Sequence, residues 1–170
     1  MQLLSLELYE STLRIYTMIH TSIVELIRNG ELGPLRHGLT HDRVRELLGS
    51  PPMWGPQRTE QRASIWRYGD IEFHFNNWVV SLIFSDHEDF TDGGPTLRIE
   101  PWIVRRGLSR DEFERNLKDM EVEFAVTKPD YDPSQTHVIV KSGIIFSFVD
   151  EAEEYCPDSG LVFWSTRYEG

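Results

Sequence analysis

Carboxylates crowd two loops of this chain. Asp86, Glu88, Asp89 and Asp92 fall in one, and Asp150, Glu151, Glu153, Glu154 and Asp158 fall in the other. Grouped oxygens of this kind could bind calcium, act as a hydrolytic acid–base pair, or present negative potential to a basic partner. Neither loop has the alternating ligands and central glycine of an EF-hand. Carboxylates are plentiful, but nothing singles out two of them as a glycosidase-like pair. Two readings stay open: solvated charged turns, or an electronegative patch for a basic protein. On the second reading Asp86, Glu88, Asp89, Asp92, Asp150, Glu151, Glu153, Glu154 and Trp54 form the partner-binding set. Trp54, in the run Trp54-Gly55-Pro56, either plugs a core edge or serves as an aromatic contact anchor.

Histidines offer a second chemistry. His37 and His41 are four residues apart, but Gly38 and a helix cap at Thr40 intervene, so they do not share a helix face as zinc-binding pairs do. Glu72 and His74 alternate onto the polar side of a strand, and His87 follows in the acidic loop. A small-ligand or hydrolase site built on Glu72, His74 and His87 is therefore the alternative to a binding role. Cys156 precedes a proline among carboxylates, where negative neighbours suppress the thiolate. No nucleophile elbow and no phosphate-cradling glycine loop is present. No metal and no cofactor is expected, and a binding protein is favoured over an enzyme.

The elements that must position these groups are written twice. Gly38-Leu39-Thr40-His41-Asp42-Arg43-Val44 and Gly107-Leu108-Ser109-Arg110-Asp111-Glu112-Phe113 each predict a helix start. Thr40 and Ser109 are N-caps, and Asp42 and Asp111 suit the positive end of the helix dipole. Leu39 with Val44, and Leu108 with Phe113, can close hydrophobic staples, while Ser109 with Glu112 spells a capping box. The helices align at an offset of 69 residues. Further on, an offset of 65 matches Val79-Val80 to Ile144-Ile145, Phe84 to Val149 and Ile99 to Trp164.

The first copy predicts a helix from Thr40 to about Leu48, a polar loop from Ser50 to Arg62, and four strands. These are Ala63 to Tyr68, Ile71 to Asn76, Trp78 to Ser85 and Thr96 to Val104, short and closely turned as in an antiparallel meander. The second copy predicts a helix from Ser109 to about Asp119. Its strands lie near Val122 to Lys128, Thr136 to Lys141, Gly143 to Val149 and Gly160 to Thr166. Ahead of both, Ile15, Ile19, Ile23 and Ile27 form the stripe of an amphipathic helix from Ser11 to Arg28, stopped at Asn29-Gly30. The fold class is α+β: two pseudo-symmetric helix-plus-four-strand repeats with an extra N-terminal helix. The expected division is 1–104 and 105–170, packed as one body.

With 170 residues and 39% hydrophobic composition, the chain can bury a sizeable core. A net charge of −11 repels phosphate backbones, so nucleic acid is excluded as a partner in favour of a basic protein. One cysteine excludes an internal disulfide. The start Met1-Gln2-Leu3-Leu4-Ser5-Leu6-Glu7 lacks a basic region, and no apolar run nears the ~20 residues of a membrane span. The expectation is a cytoplasmic protein without a membrane segment.

Tandem helix-plus-four-strand units in a chain of this length resemble the β-lactamase inhibitor protein fold. The start Gly-Leu-Thr-x-Asp-x-Val-x-x-Leu-Leu-Gly-x-Pro from Gly38, followed by Trp66-Arg67-Tyr68-Gly69-Asp70-Ile71-Glu72-Phe73-His74-Phe75, is similar to small bacterial immunity-like proteins. The helix-plus-sheet pattern is also similar to small outer-membrane assembly lipoproteins, but no signal peptide or lipobox cysteine is expected from the start of this sequence. The inhibitor fold is usually disulfide-bonded, and a single cysteine departs from that. The resemblance implies an immunity or inhibitor protein that neutralises its partner, and it assigns a role to no individual residue.

Overall fold

The computed structural model describes residues 17–87, 90–149 and 160–166. Strand β1 (Ile19–Ser22) opens the described chain and runs straight into α1 (Ile23–Asn29). The expected Ser11–Arg28 helix is thus corrected: 11–16 lie outside the described residues, and 19–22 are extended. Two causes are visible. Ser22 caps the helix, its Oγ accepting the Glu25 N–H at 3.1 Å, and 19–22 pair in parallel with Leu97–Glu100. An isoleucine every fourth residue imitates a helical stripe, but β-branched side chains suit an extended backbone equally well. The helix stops at Gly30, whose φ of 76° is left-handed.

Helix α2 (His41–Leu48) starts at Thr40, whose Oγ1 accepts the Arg43 N–H at 3.2 Å, and it buries Val44 and Leu48. The expected polar loop over 50–62 in fact holds a short edge strand, β2 (Met53–Gly55), and a single 3-10 turn at Glu60–Arg62. Strands β3 (Ile65–Tyr68), β4 (Ile71–Asn76) and β5 (Val79–Ser85) follow as a meander. The expected strand over 96–104 shrinks to β6 (Leu97–Glu100), which leaves the meander to pair with β1. Helix α3 (Arg110–Asp119) is capped by Ser109, whose Oγ accepts the Glu112 N–H at 3.3 Å. The Glu112 carboxylate does not complete the capping box. It accepts the Arg105 guanidinium at 2.9 and 3.1 Å instead. Strands β7 (Phe124–Thr127), β8 (Gln135–Val140), β9 (Ile144–Val149) and β10 (Gly160–Thr166) complete the chain as expected.

Eight strands form one antiparallel sheet in the order β2-β3-β4-β5-β10-β9-β8-β7. Each helix therefore precedes four meandering strands, and the two runs meet through their last members, β5 and β10. That order overturns the offset of 65. It equates 79–84, in the fourth strand after α2, with 144–149, in the third strand after α3. Matching third to third instead sets Ile71, Phe73 and Phe75 beside Ile144, Phe146 and Phe148, the same apolar alternation on the same side of the sheet.

That side carries the core. Val44 and Leu48 from α2, and Phe113 and Leu117 from α3, are buried in one cluster with Trp66, Phe73, Ile83, Phe146, Phe148 and Trp164. The Phe113 ring lies 4.5 Å from Phe146 and 5.4 Å from Phe148. Burying aromatics of this size stabilises the fold by roughly 1.5–3 kcal/mol each. Their indole and phenol tips are satisfied: Trp66 Nε1 donates to the Glu60 carbonyl, Tyr68 Oη to Gly49, and Trp164 Nε1 to Phe90.

Candidate functional site

Cross-strand partners project from the same face of a sheet. The register therefore lists what the face turned away from α2 and α3 carries. Glu72 lies opposite Phe84, His74 opposite Leu82, Phe84 opposite Ser165, and Ser147 opposite both Phe163 and His137. These residues line up across the strands as a band. Glu72 Oε2 accepts a hydrogen bond from His74 Nε2 at 2.9 Å. The His74 ring stands edge-on to Phe84 at 6.1 Å, Phe84 is 5.4 Å from Phe163, and Phe163 is 6.3 Å from His137. Tyr131 closes the band, its hydroxyl 3.3 Å from His137 Nε2 and its residue 76% exposed.

Tyr131 is the exposed end of the band; Glu72, His74, Phe84 and Phe163 are half-buried, and His137, Ser147 and Ser165 are buried. Imidazole and phenyl rings supply rigid contact area with little conformational entropy to lose, and the polar tips remain able to hydrogen-bond. Carboxylates stand at both ends. Asp132 follows Tyr131, and its carboxyl is held below the usual carboxylate range, first by the Ser134 hydroxyl. Glu72 lies at the β4 end. Beside it, the Asp70 carboxyl is pushed up, first by burial; His87 opposes this shift, Asp92 reinforces it and Arg67 opposes it.

The expected cluster of Glu72, His74 and His87 is not gathered. His87 Nδ1 lies 3.6 Å from Asp70 Oδ1, while His74 is held by Glu72. Among the described residues no group of three or more His, Cys, Asp and Glu side chains could hold a metal ion. His37 and His41 part as well: His37 meets Thr166, whereas His41 Nε2 reaches the Ala63 carbonyl and its ring stacks on Phe75 at 3.7 Å.

Of the acidic set, Asp86 and Asp92 are exposed near the end of β5. Asp92 also has a local duty. Its Oδ1 accepts the Gly94 N–H at 2.8 Å and its carbonyl accepts the Asp70 N–H at 2.6 Å, clamping the β3–β4 turn. Gly69 in that turn sits at a φ of 59°, and a Cβ there would collide with the Asp92 carbonyl. Glu88, Asp89, Asp150, Glu151, Glu153 and Glu154 lie outside the described residues, as does Cys156. Trp54 is 46% exposed on the edge strand β2, separated from Asp86 by β3 and β4. The structure thus does not bring Trp54 and the described carboxylates together.

Sequence reasoning missed Phe163, His137 and Tyr131. The signal was faint: in Leu161-Val162-Phe163-Trp164, four apolar residues in a row conceal which of two neighbouring aromatics faces the core. Trp164 does, and Phe163 is left on the other side.

No helix among the described residues is long and apolar enough to cross a membrane. Comparison with protein-family models, curated proteins and solved structures finds no match to this chain.

Proposed function

We propose that the protein is a binding module, an immunity or inhibitor protein acting in the cytoplasm, that neutralises a basic protein partner through the face of its sheet turned away from α2 and α3. The carrying observation is the band from Glu72 to Tyr131, in which two histidines and three aromatic rings form a continuous chain of contacts across the sheet. Its acidic ends, the exposed Asp86 and Asp92, and a net charge of −11 favour a cationic partner over an anionic one. A tandem origin supports the same reading. Two capped helices each lead four antiparallel strands, and a pseudo-twofold between β5 and β10 would turn one unit onto the other, as in the inhibitor fold the sequence resembles.

The test is affinity capture from the native cell extract with the wild type and with a Phe84→Ala, Phe163→Ala variant, followed by kinetics with the purified partner. The wild type should retain a basic protein that the variant releases. Association should slow with salt, because at ~0.15 M screening confines the field of exposed charges to about 8 Å. Asp86→Lys should slow it similarly. Equal retention by wild type and variant, or association indifferent to salt, would remove the proposal.

A further inference from the structure

The eight-stranded sheet ends in two edges that are built differently. At one, β2 has only three residues and is flanked by Pro51, Pro52 and Pro56, which cannot donate to a further strand. At the other, β7 is followed by Lys128 and Pro129 but carries no such residue within its own four. Its Ala125, Val126 and Thr127 are uncharged and exposed, and neither proline, lysine, glycine nor bulge interrupts the ladder. Natural sheets blunt an edge that is to stay solitary. This one is left open.

The register shows which backbone groups are on offer. Glu123 is opposite Lys141, and its carbonyl accepts the Lys141 N–H at 3.0 Å, so the ladder to β8 begins one residue before β7 itself. In antiparallel pairing, hydrogen-bonded and non-hydrogen-bonded residues alternate. Glu123, Ala125 and Thr127 therefore bond to β8, while Phe124 and Val126 point their N–H and C=O groups outward. Among the described residues, no other backbone group is hydrogen-bonded to those two.

We propose that β7 is a self-association edge, where two copies of this chain pair antiparallel about a twofold axis at Ala125 and join their sheets into one. A second copy fits because the segment is its own complement. The ladder 123–127 is centred on Ala125, so this axis gives the longest overlap. Phe124 then exchanges both hydrogen bonds with Val126 of the second copy, and the outward groups of one chain find those of the other. On the helix side, Val126, 44% exposed, gains the ring of the other copy's Phe124 as a neighbour. Glu123 faces Thr127 and Lys128 faces Val122, so no like charges meet across the axis although each chain carries −11. The small Ala125 suits the close approach, about 4.5 Å between Cα atoms, of a non-hydrogen-bonded pair.

Sedimentation of the full chain over a range of concentrations tests this, with a cross-linking arm to fix the register. The wild type should convert from monomer to dimer as concentration rises. Val126→Lys, an exposed substitution, should weaken dimerisation by about tenfold or more while leaving the thermal midpoint within reach of the wild type. In a Cys156→Ser background, Ala125→Cys should form a covalent dimer on mild oxidation, since the Cα separation of about 4.5 Å in this pair lies within the range a disulfide spans. Thr127→Cys should not, because it faces Glu123. A wild type that stays monomeric, a dimer untouched by Val126→Lys, or cross-linking as efficient at 127 as at 125 would each overturn the proposal.

Discussion

At the scale of single residues, His37 shows how burial turns a loop histidine into a pH-dependent tie. Its Nε2 lies 2.6 Å from the Thr166 hydroxyl, which also accepts the Ile83 N–H at 2.9 Å. Three segments distant in sequence converge there. Burial holds the His37 imidazole below its ordinary value of 6.5, because the charged form is poorly solvated. The unfolded chain therefore takes up the proton first as pH falls. The stability contributed by neutral His37 is complete above the unfolded value and is lost as pH falls through the depressed folded one. We expect the thermal midpoint to drop between about pH 7.5 and pH 5, and His37→Gln to flatten that part of the profile. A profile of the same slope with and without the imidazole would show that His37 does not carry the effect.

At the scale of elements, the two helix starts are the most self-contained pieces of the fold. Thr40 and Ser109 both accept the N–H of the third helical residue, and both helices bury the first apolar residue after the cap, Val44 and Phe113. Ser109→Ala should cost about 0.5–2 kcal/mol in stability, as should Thr40→Ala, read from denaturant midpoints at unchanged slope. A midpoint unmoved by either change would mean that solvent replaces the hydroxyl at no cost. Strands behave otherwise. Ile19–Ser22 and Leu97–Glu100 owe their form to each other, as the parallel ladder between them shows. Met53–Gly55 is a strand only because Ile65–Arg67 lies beside it.

At the scale of the molecule, the seam between β5 and β10 decides whether the two runs of strands melt together. The direct ladder there is short, with Trp164 opposite Ser85 and Ser165 opposite Phe84. Side chains extend it. Trp164 is fully buried and its indole donates to the Phe90 carbonyl at 3.0 Å, a bond from the second half of the chain into the first. Removing that indole should be felt everywhere. Trp164→Ala is expected to cost about 3–5 kcal/mol, through lost burial and an unfilled cavity, with a single transition in calorimetry. Two separate transitions in the wild type would show instead that the halves are independent domains.

The sequence by itself determined both main helices, from cap to stop, because capping and apolar periodicity are local and need no partner. It also determined seven of the eight main-sheet strands as to existence and approximate span (β3, β4, β5, β7, β8, β9 and β10), since tight turns such as Gly69-Asp70 punctuate them. Tertiary structure alone decided strand order. A repeat read at one offset says nothing about which strand closes the sheet. It decided that 19–22 extend rather than coil, because the competing partner lies near residue 97, far along the chain. It also decided the candidate surface. Glu72 and His74 were legible as the polar side of an alternating strand and Phe84 joins them across the β4–β5 hairpin, but Phe163, His137 and Tyr131 join them only because β5 and β10 lie side by side. That adjacency is set by long-range burial of Trp164, Phe146 and Phe148 in one core with Phe113 and Leu117 of α3, and no local pattern encodes it.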